Sequence, residues 1–430
     1  APGPVAVLRP YSTGRKLGRA LAQRGLTGLA VVPADPAALG MTGPPLDPAD
    51  WGQVMTEPSE PGELAALLER VNAVALLAGD ESAVRDAEEA AAKAGYDGND
   101  PVTSAARTRK IAMQEALENA RPRVPHPMTA GAAGPQAVLE AARAVAQATR
   151  WPVVIKPDWS ASSVGVSVCR NLAEVAAAWT ALSGQPGGLG EITQAVAVQE
   201  YLTGQKWTVD TVTVAGPGDV PVHVVTSIWC ERVSVTASTG AGGGIAWGES
   251  WLVPPAVTNP RHPALRVAAY ARRVLDAVGV VWGPACTEVV LTAGGPRLVE
   301  VMARLAGCYP VHLVEEVTGQ NQVTATVDAL TDQAGLACRA PAAGDGQVVV
   351  QAWLAAPHDG FLDGAVLQQI RSLPCVQTCS EALVAGAAVT RTKDSPTSPG
   401  HLDLFGLLDD VERDLAAIRD LEKNLYRRRR

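Results

Sequence analysis

The alternation of apolar and polar positions predicts a βαβ opening. Residues 4–32 read as a strand, a helix and a second strand, with Ser12 as the expected helix cap and Gly25 as its stop. A third apolar run at 71–79 precedes an acidic, alanine-rich helix at 81–94. Because strands and helices alternate, the first hundred residues are expected to form a doubly wound α/β domain.

The central part of the chain, 106–335, has a more mixed pattern. Helix and strand alternate over 129–182, two strands follow at 195–216, and a hairpin is expected at 284–304. The segment 236–250 is so rich in glycine that we expect a loop or a lid there. An amphipathic helix separates this segment from the hairpin.

The last part of the chain contains two strand-like runs and a final helix with an acidic first turn. This helix is expected to end at 427–430, an arginine run that we interpret as a solvated tail rather than a nucleic-acid contact. The resulting domain division is 1–105, 106–335 with a lid subdomain at about 125–200, and 336–430.

The composition disfavours several classes of protein, among them nucleic-acid-binding and membrane proteins. The 430 residues carry 36 basic and 44 acidic side chains, a formal charge of −8, which disfavours a broad cationic surface for nucleic acid. We find no uninterrupted apolar run of membrane-span length and no export signal, and expect a cytoplasmic protein without a membrane partner. The seven cysteines suit reduced thiols, and Cys375 and Cys379 lack the second pair that a zinc site needs.

Lys156 is the most informative residue of the pattern. It ends the apolar run 153–155 and directly precedes a small, flexible loop at 160–165. A buried ammonium needs an anion, and the amide groups of such a loop can cradle a polyphosphate. An ordinary Ser/Gly turn after a core strand is the alternative for this segment alone.

Three further features suit the same chemistry. Lys110 supplies a second ammonium for a phosphate, and the extended segment 200–202 can offer backbone groups to the edge of a purine. Glu288 and Glu300 stand on the two arms of the predicted hairpin, where both can face one side. Two close carboxylates repel unless a cation lies between them, and Mg²⁺ bridging phosphates fits that place. A solvated sheet face is the alternative for this pair.

The order of these motifs resembles the ATP-grasp superfamily. Lys110, IKP with SSVGV, QEYLTG, GPACTEVVLT and PRLVEVMARLAG occur in the family's order, and the resemblance runs from about residue 4 to 425. More narrowly, the chain is similar to carboxylate-amine ligases such as the bacterial L-amino acid ligases that make dipeptide antibiotics. The resemblance implies an α/β ATP-grasp fold with an N-terminal doubly wound domain, a central lid and a C-terminal antiparallel sheet.

The resemblance also implies roles for individual residues. ATP would be bound by Lys110, Lys156, Ser162, Ser163, Val164, Gly165, Glu200, Tyr201 and Leu202. Magnesium, with manganese as an alternative, would be held by Glu288 and Glu300. The substrate would meet Arg304, Gly307, Glu249 and Cys286, with Arg304 and Lys156 in catalytic roles.

Three positions depart from the family's pattern. Met302 stands where many relatives have a metal-binding asparagine, and Lys206 where many have a glutamate that holds the ribose. Cys286 lies where some amino acid ligases have a histidine. These departures put the number of metal ions, the ribose contact and the pocket chemistry in question.

The function that this resemblance implies is ATP-dependent joining of a carboxylic acid to an amine through an acyl phosphate, in natural-product biosynthesis. The expected partners are small-molecule acids and amines. Homodimers are common in the family, and the sequence leaves the oligomeric state open. An ATP-grasp enzyme of the purine or biotin-carboxylase branches, and a nucleotide-binding protein without turnover, are the alternatives.

Overall fold

The computed structural model describes residues 3–428 except 38–45, 61, 239, 255–258, 260, 309 and 340–345. Thr239 of the glycine-rich segment, and Arg429 and Arg430 of the arginine run, therefore lie outside the described residues. Within the described part of the chain, no helix is both long enough and apolar enough to cross a membrane.

The N-terminal residues form the predicted parallel sheet. Its strands, in the order β3-β2-β1-β4, are β1 Val5–Leu8, β2 Gly28–Val32, β3 Gln53–Thr56 and β4 Ala75–Ala78. The helices beside it are α1 Leu17–Gln23, α2 Glu63–Arg70 and α3 Val84–Ala94. Every residue of β1 is buried, as expected for a central strand with helices on both faces of its sheet.

The two predicted boundaries of the first helix have different outcomes. Gly25 has a left-handed φ of 71° just after α1, which confirms it as the stop. Ser12 is not the cap: it begins a 3-10 turn, Ser12–Lys16, that precedes α1. The turn separates Ser12 from the first amides of the α-helix, so its side chain cannot serve them.

Two helices lead from this domain into a small antiparallel sheet. The helices are α4 Ala105–Thr108 and α5 Lys110–Asn119. The small sheet, in the order β5-β8-β6-β7 with two helices, consists of β5 Thr129–Ala132, α6 Pro135–Thr149, β6 Val153–Pro157, β7 Ser167–Cys169, α7 Leu172–Leu182 and β8 Val196–Glu200. We call this unit the lid sheet.

The described residues also form a larger sheet of eight strands in the order β13-β12-β9-β10-β11-β14-β18-β16. Its first five strands in the chain, with the helices between and after them, are β9 Gln205–Ala215, β10 Pro221–Val235, β11 Ile245–Leu252, α8 Pro263–Ala277, β12 Gly283–Thr292, β13 Gly295–Met302, α9 Val311–Thr318, α10 Gln322–Thr331 and α11 Gln333–Ala337. The hairpin predicted at 284–304 is confirmed as β12 and β13.

The rest of the chain extends this sheet and adds a three-stranded one. These elements are β14 Gln347–Trp353, β15 Gly360–Leu362, α12 Gly364–Arg371, β16 Val376–Cys379, β17 Ala388–Val389, β18 His401–Leu407, α13 Leu408–Glu422 and β19 Tyr426–Arg428. The C-terminal residues thus contain more strands than the two that the pattern predicts. The domain boundaries drawn from the sequence stay a prediction.

Two local predictions were wrong. Residues 245–250, the last part of the glycine-rich segment, lie in β11 inside the large sheet, because Ala246 and Ser250 are buried there between neighbouring strands. The arginine run does not continue the last helix. Arg427 lies in β19, where pairing with β15 fixes the backbone and the guanidinium forms an ion pair with Asp363.

Arg107 joins the N-terminal domain to the large sheet. Its side chain is fully buried and holds the Glu88 carboxylate in two hydrogen bonds of 2.7 and 2.9 Å. The same guanidinium donates to the carbonyl groups of Val278 and Gly279 after α8, at 2.8 and 3.1 Å. A planar fork of donors suits this buried place, where carboxylate and carbonyl oxygens converge.

We predict that Arg107→Met lowers the free energy of unfolding by about 3–5 kcal/mol, because it leaves the Glu88 carboxylate buried without its cation. Urea unfolding followed by circular dichroism measures the loss. Arg123→Met, which removes an exposed ion pair with Glu118, is the control and should change stability little. Equal stability of the two variants would contradict the role given to Arg107.

Candidate active site

The site lies on one face of the large sheet because side chains alternate along its strands. On β12, Ala285 and Val289 point to the core formed with α8, so Cys286 and Glu288 point to the opposite face. On β9, Val209 joins the same α8 core, which places Lys206 and Asp210 on the face of Glu288. Period-two alternation therefore gathers the polar groups of neighbouring strands on one surface.

The two glutamates predicted to hold a metal ion are brought together. Glu288 and Glu300 are directly opposite each other on β12 and β13. The Glu288 carboxylate lies 2.9 Å from the Lys206 ammonium, and the Glu300 carboxylate 3.2 Å from that of Lys110. Each carboxylate of the pair is thus in contact with its own ammonium group.

The surroundings shift the pKa values of the pair in opposite directions. Burial opposes ionisation of Glu300, but the ammonium groups of Lys110 and Lys156 outweigh it and lower its pKa. Burial raises the pKa of Glu288, which Lys206 offsets only in part while Glu300 and Glu231 add repulsion. A further cation between the two carboxylates would remove the repulsion.

A cavity of about 270 Å³ lies between the lid sheet and the large sheet. Its polar lining includes Lys110, Lys156, Ser160, Ser163, Gln199, Glu200, Lys206, Glu288 and Glu300. Its apolar lining includes Val154, Val166 and Val168 from the lid side, and Val233, Ile245 and Val290 from the large sheet. We call it the first cavity: a slot with apolar walls on both sides and a charged end.

The segment predicted to be a hinge forms one edge of the first cavity. Glu200 is the last residue of β8, and its amide already donates to the Met128 carbonyl at 3.0 Å. Tyr201 and Leu202 follow outside any strand and also line the cavity. The backbone of residues 200–202, which connects the two sheets, therefore lies at the edge of the first cavity, where its polar groups can form hydrogen bonds with a ligand.

The loop at 160–165, which we call the serine loop, covers the charged end of the first cavity. Lys110 donates to the Ser160 carbonyl at 2.6 Å, which ties the loop to the start of α5. Ser162 and Ser163 have left-handed φ values of 57° and 60°. In the described part of the chain, the amides of Ser162, Ser163 and Gly165 donate to no other residue. The adjacent free amides of Ser162 and Ser163 can contribute to a concave anion-binding surface.

Lys156 points into the first cavity from β6. Its ammonium is buried and donates to Gln199 Oε1 at 2.8 Å. Burial lowers the pKa of Lys156 to about 8, because the carboxylates nearby are balanced by neighbouring ammonium groups. An added anion would raise this pKa and stabilise the charged form.

A second cavity, of about 140 Å³, adjoins the first. The two share the lining residues Ser163, Trp247, Glu288 and Glu300. The predicted residues Ser162, Cys286, Arg304 and Gly307 line the second cavity, together with Asp210, Trp229, Glu231, Met302, Gln351 and Trp353. The glutamate pair thus stands where the two cavities meet.

Arg304 is positioned by a residue that the sequence did not reveal. Its Nε lies 3.1 Å from the carboxylate of Glu81, and its Nη1 donates to the Leu305 carbonyl at 2.7 Å. Burial raises the pKa of Glu81 to about 7, although the Arg304 charge lowers it. Glu81 is 223 residues away in the chain, so only the docking of the N-terminal domain could show this pair.

Asp210 is the second residue that sequence reasoning missed. It is fully buried at the inner wall of the second cavity and accepts hydrogen bonds from Ser227 Oγ at 2.6 Å and Trp229 Nε1 at 3.1 Å. Burial raises its pKa to about 6, against the lowering effect of these donors and of the Cys286 thiol. Its position on β9, four residues after Lys206, was the available signal.

The structure does not bring every predicted residue to the site. Glu249 lies within β11, where its carboxylate is 2.8 Å from Arg419 and 3.3 Å from Arg232, and it lines neither cavity. The reason is that 245–252 is a strand rather than a loop. Val164 and Gly165 belong to the serine loop but also line neither cavity.

The donor set fits a magnesium ion at the glutamate pair. Glu288 and Glu300 offer the hard carboxylate oxygens that Mg²⁺ prefers, and phosphate and water oxygens usually complete its shell. Among the described residues, no group of three or more His, Cys, Asp or Glu side chains is arranged to hold a metal without such help.

Known proteins resemble this chain in sequence and in overall structure. The chain is 26% identical to dapdiamide A synthase of Enterobacter agglomerans over 360 residues, 82% of this chain and 80% of that protein. The crystal structure of the L-amino acid ligase from Bacillus licheniformis matches with a TM-score of 0.71 and 15% identity, covering 100% and 99% of the two chains. Carboxyaminoimidazole ribonucleotide synthase from Aspergillus clavatus, solved with ATP, matches with a TM-score of 0.67 and 14% identity, covering 98% and 99%. No family model matches the chain.

The two sheets with a cleft between them, and the solved structures that share them, define an ATP-grasp fold. Together with the sequence similarity to dapdiamide A synthase, this fold indicates an ATP-grasp carboxylate-amine ligase. The resemblance drawn from the order of the motifs is thereby confirmed.

Proposed function

We propose that this ligase activates a small carboxylic acid, such as an amino acid, as an acyl phosphate and joins it to an amine, releasing ADP and phosphate. The observation that carries the proposal is the meeting of the two cavities at Glu288 and Glu300. A phosphate donor in one cavity and an acceptor in the other would have their reacting atoms at this junction. Small amide natural products are the product class we propose.

The first cavity supplies what ATP needs. Its apolar walls suit a flat purine, and the 200–202 segment suits the purine edge. Lys110 and Lys156, with the free amides of the serine loop, would face the phosphates. In this arrangement the γ-phosphate lies at the charged end, beside Glu300.

The second cavity supplies what the acid needs. Arg304 is held by Glu81 and lines the cavity, so its guanidinium can orient a carboxylate and later stabilise the charge on an acyl phosphate. A carboxylate oxygen attacks the γ-phosphorus while the bond to the bridging β–γ oxygen breaks, and ADP leaves. A neutral amine then attacks the acyl carbon, the carbon–oxygen bond to phosphate breaks, and the amine loses its proton.

Magnesium bound by Glu288 and Glu300 would supply electrostatic neutralisation of the phosphates. The chain's own contribution is to orient the reactants and exclude water. Water exclusion matters because an acyl phosphate hydrolyses, and the serine loop already touches the C-terminal segment, where the Ser395 amide donates to the Ser162 carbonyl at 3.3 Å.

The test is a screen of phosphate release over pairs of amino acids, with mass spectrometry of the products. We expect ADP, phosphate and an amide product to form together for at least one pair. ADP formation that requires bicarbonate or a purine intermediate, and no amino acid, would overturn the proposal in favour of another branch. ATP binding without ADP formation across a broad panel of acids and amines would instead indicate a protein without turnover.

We predict that Glu300→Gln reduces ADP formation by about 10²-fold or more, because the variant loses the carboxylate that is central to the junction. Glu118→Gln, on the exposed end of α5, is the control and should leave turnover unchanged. Circular dichroism checks that both variants are folded. Normal turnover in folded Glu300→Gln would remove Glu300 from the mechanism.

The lowered pKa of Lys156 predicts that ATP binding depends on pH. Its pKa of about 8 in the free protein means that the ammonium is present at pH 7 and largely lost at pH 9. Bound phosphate favours the charged form, so the Kd for ATP should rise as pH increases through 8, by at most about tenfold per pH unit.

Isothermal titration calorimetry from pH 7 to 9 measures this rise. Lys156→Met should bind ATP more weakly at pH 7 and should lose the part of the pH dependence above 8. If the variant keeps both the affinity and the pH profile of the original protein, Lys156 does not hold a phosphate.

A further inference from the structure

Lys206 occupies an unusual place for a cation. Its ammonium lies 2.9 Å from the carboxylate of Glu231 and 2.9 Å from that of Glu288. The side chain is buried, at 8% exposure, and the ammonium sits 3.5 Å from the centre of the Trp247 ring. Two carboxylates and an aromatic face therefore surround one fixed positive charge.

The strand register keeps this ammonium in place. Lys206 on β9 is directly paired with Glu231 on β10, and β9 pairs with β12, the strand that carries Glu288. Thr208 Oγ1 also donates to Glu231 at 2.9 Å, which orients that carboxylate. The ammonium lies between the two acids, where a divalent ion bridging them would otherwise lie.

Met302 provides no oxygen ligand for a second metal ion beside Glu300. It follows Glu300 by two positions on β13 and lines the second cavity. Its sulfur accepts a hydrogen bond from Arg304 Nη2 at 2.8 Å, so it faces a guanidinium. A thioether is a soft ligand that Mg²⁺ does not favour. Glu300 therefore has no oxygen-bearing neighbour at this position.

We infer that the Lys206 ammonium replaces a second divalent ion, so that the site binds a nucleotide with one divalent ion, held at Glu288 and Glu300, and one built-in cation. This inference rests on the proposed function, because it requires a nucleotide in the first cavity. It assigns Lys206 a positioning role. The ammonium holds the Glu288 carboxylate on the side that faces away from Glu300, and the side that faces Glu300 is left for the metal.

The test is to count bound Mn²⁺ by equilibrium dialysis against Mn²⁺ and ADP, measuring manganese and ADP per chain. The original protein should bind about one Mn²⁺ with one ADP. Lys206→Met removes the ammonium but keeps the length of the side chain, and should bind about two, because Glu231 and Glu288 become available together. The double variant Lys206→Met with Glu231→Gln should return to about one.

Lys156→Met is the matched control, since it also removes a buried ammonium from the first cavity but one that contacts an amide rather than a carboxylate. At saturating ADP it should bind about one Mn²⁺. Two ions in the original protein, or one in folded Lys206→Met, would overturn the inference. A count of two Mn²⁺ in the original protein would overturn the inference even if Lys206→Met does not fold. Absence of bound ADP from the original protein would contradict the proposed function itself.

Discussion

The structure depends on a row of four buried charges, two carboxylates between two ammonium groups, at the place where α5, the hairpin and β9 meet. Lys110 from the start of α5, Glu300 and Glu288 from the hairpin, and Lys206 from β9 form a continuous row in which two neighbouring carboxylates have an ammonium group at each end. Buried charges of this density are costly unless each has a partner. The row is therefore a constraint on the docking of α5 against the large sheet as well as a potential binding site for phosphate and metal.

The two cavities follow from this row. The lid sheet places Lys156 and the serine loop on one side of it, and the large sheet places Arg304 and Asp210 on the other. The N-terminal domain contributes through Glu81, which holds the Arg304 guanidinium toward the second cavity. Each unit thus supplies a charged group that the others position.

The sequence predicted those parts of the site that depend on local pattern. The tight glycine turn of the hairpin expected at 284–304 lets Glu288 and Glu300 face one side, and an apolar run followed by small residues places Lys156 before a loop. Partners from distant segments could not be predicted in this way. Glu81 meets Arg304 only through domain docking, and Glu231 meets Lys206 only through the register of β9 and β10. The misassignment of 245–250 has a similar cause: burial between two strands outweighs the loop preference of the glycines before it.

The most direct test of the central claim follows oxygen from the acid to the phosphate. An acid labelled with ¹⁸O in its carboxylate is incubated with ATP, Mg²⁺, an accepted amine and the protein, and the released phosphate is analysed by mass spectrometry. Attack of the carboxylate on the γ-phosphorus predicts one ¹⁸O atom in each phosphate and none in ADP. Unlabelled phosphate, or label recovered in AMP, would contradict transfer at the junction of the two cavities.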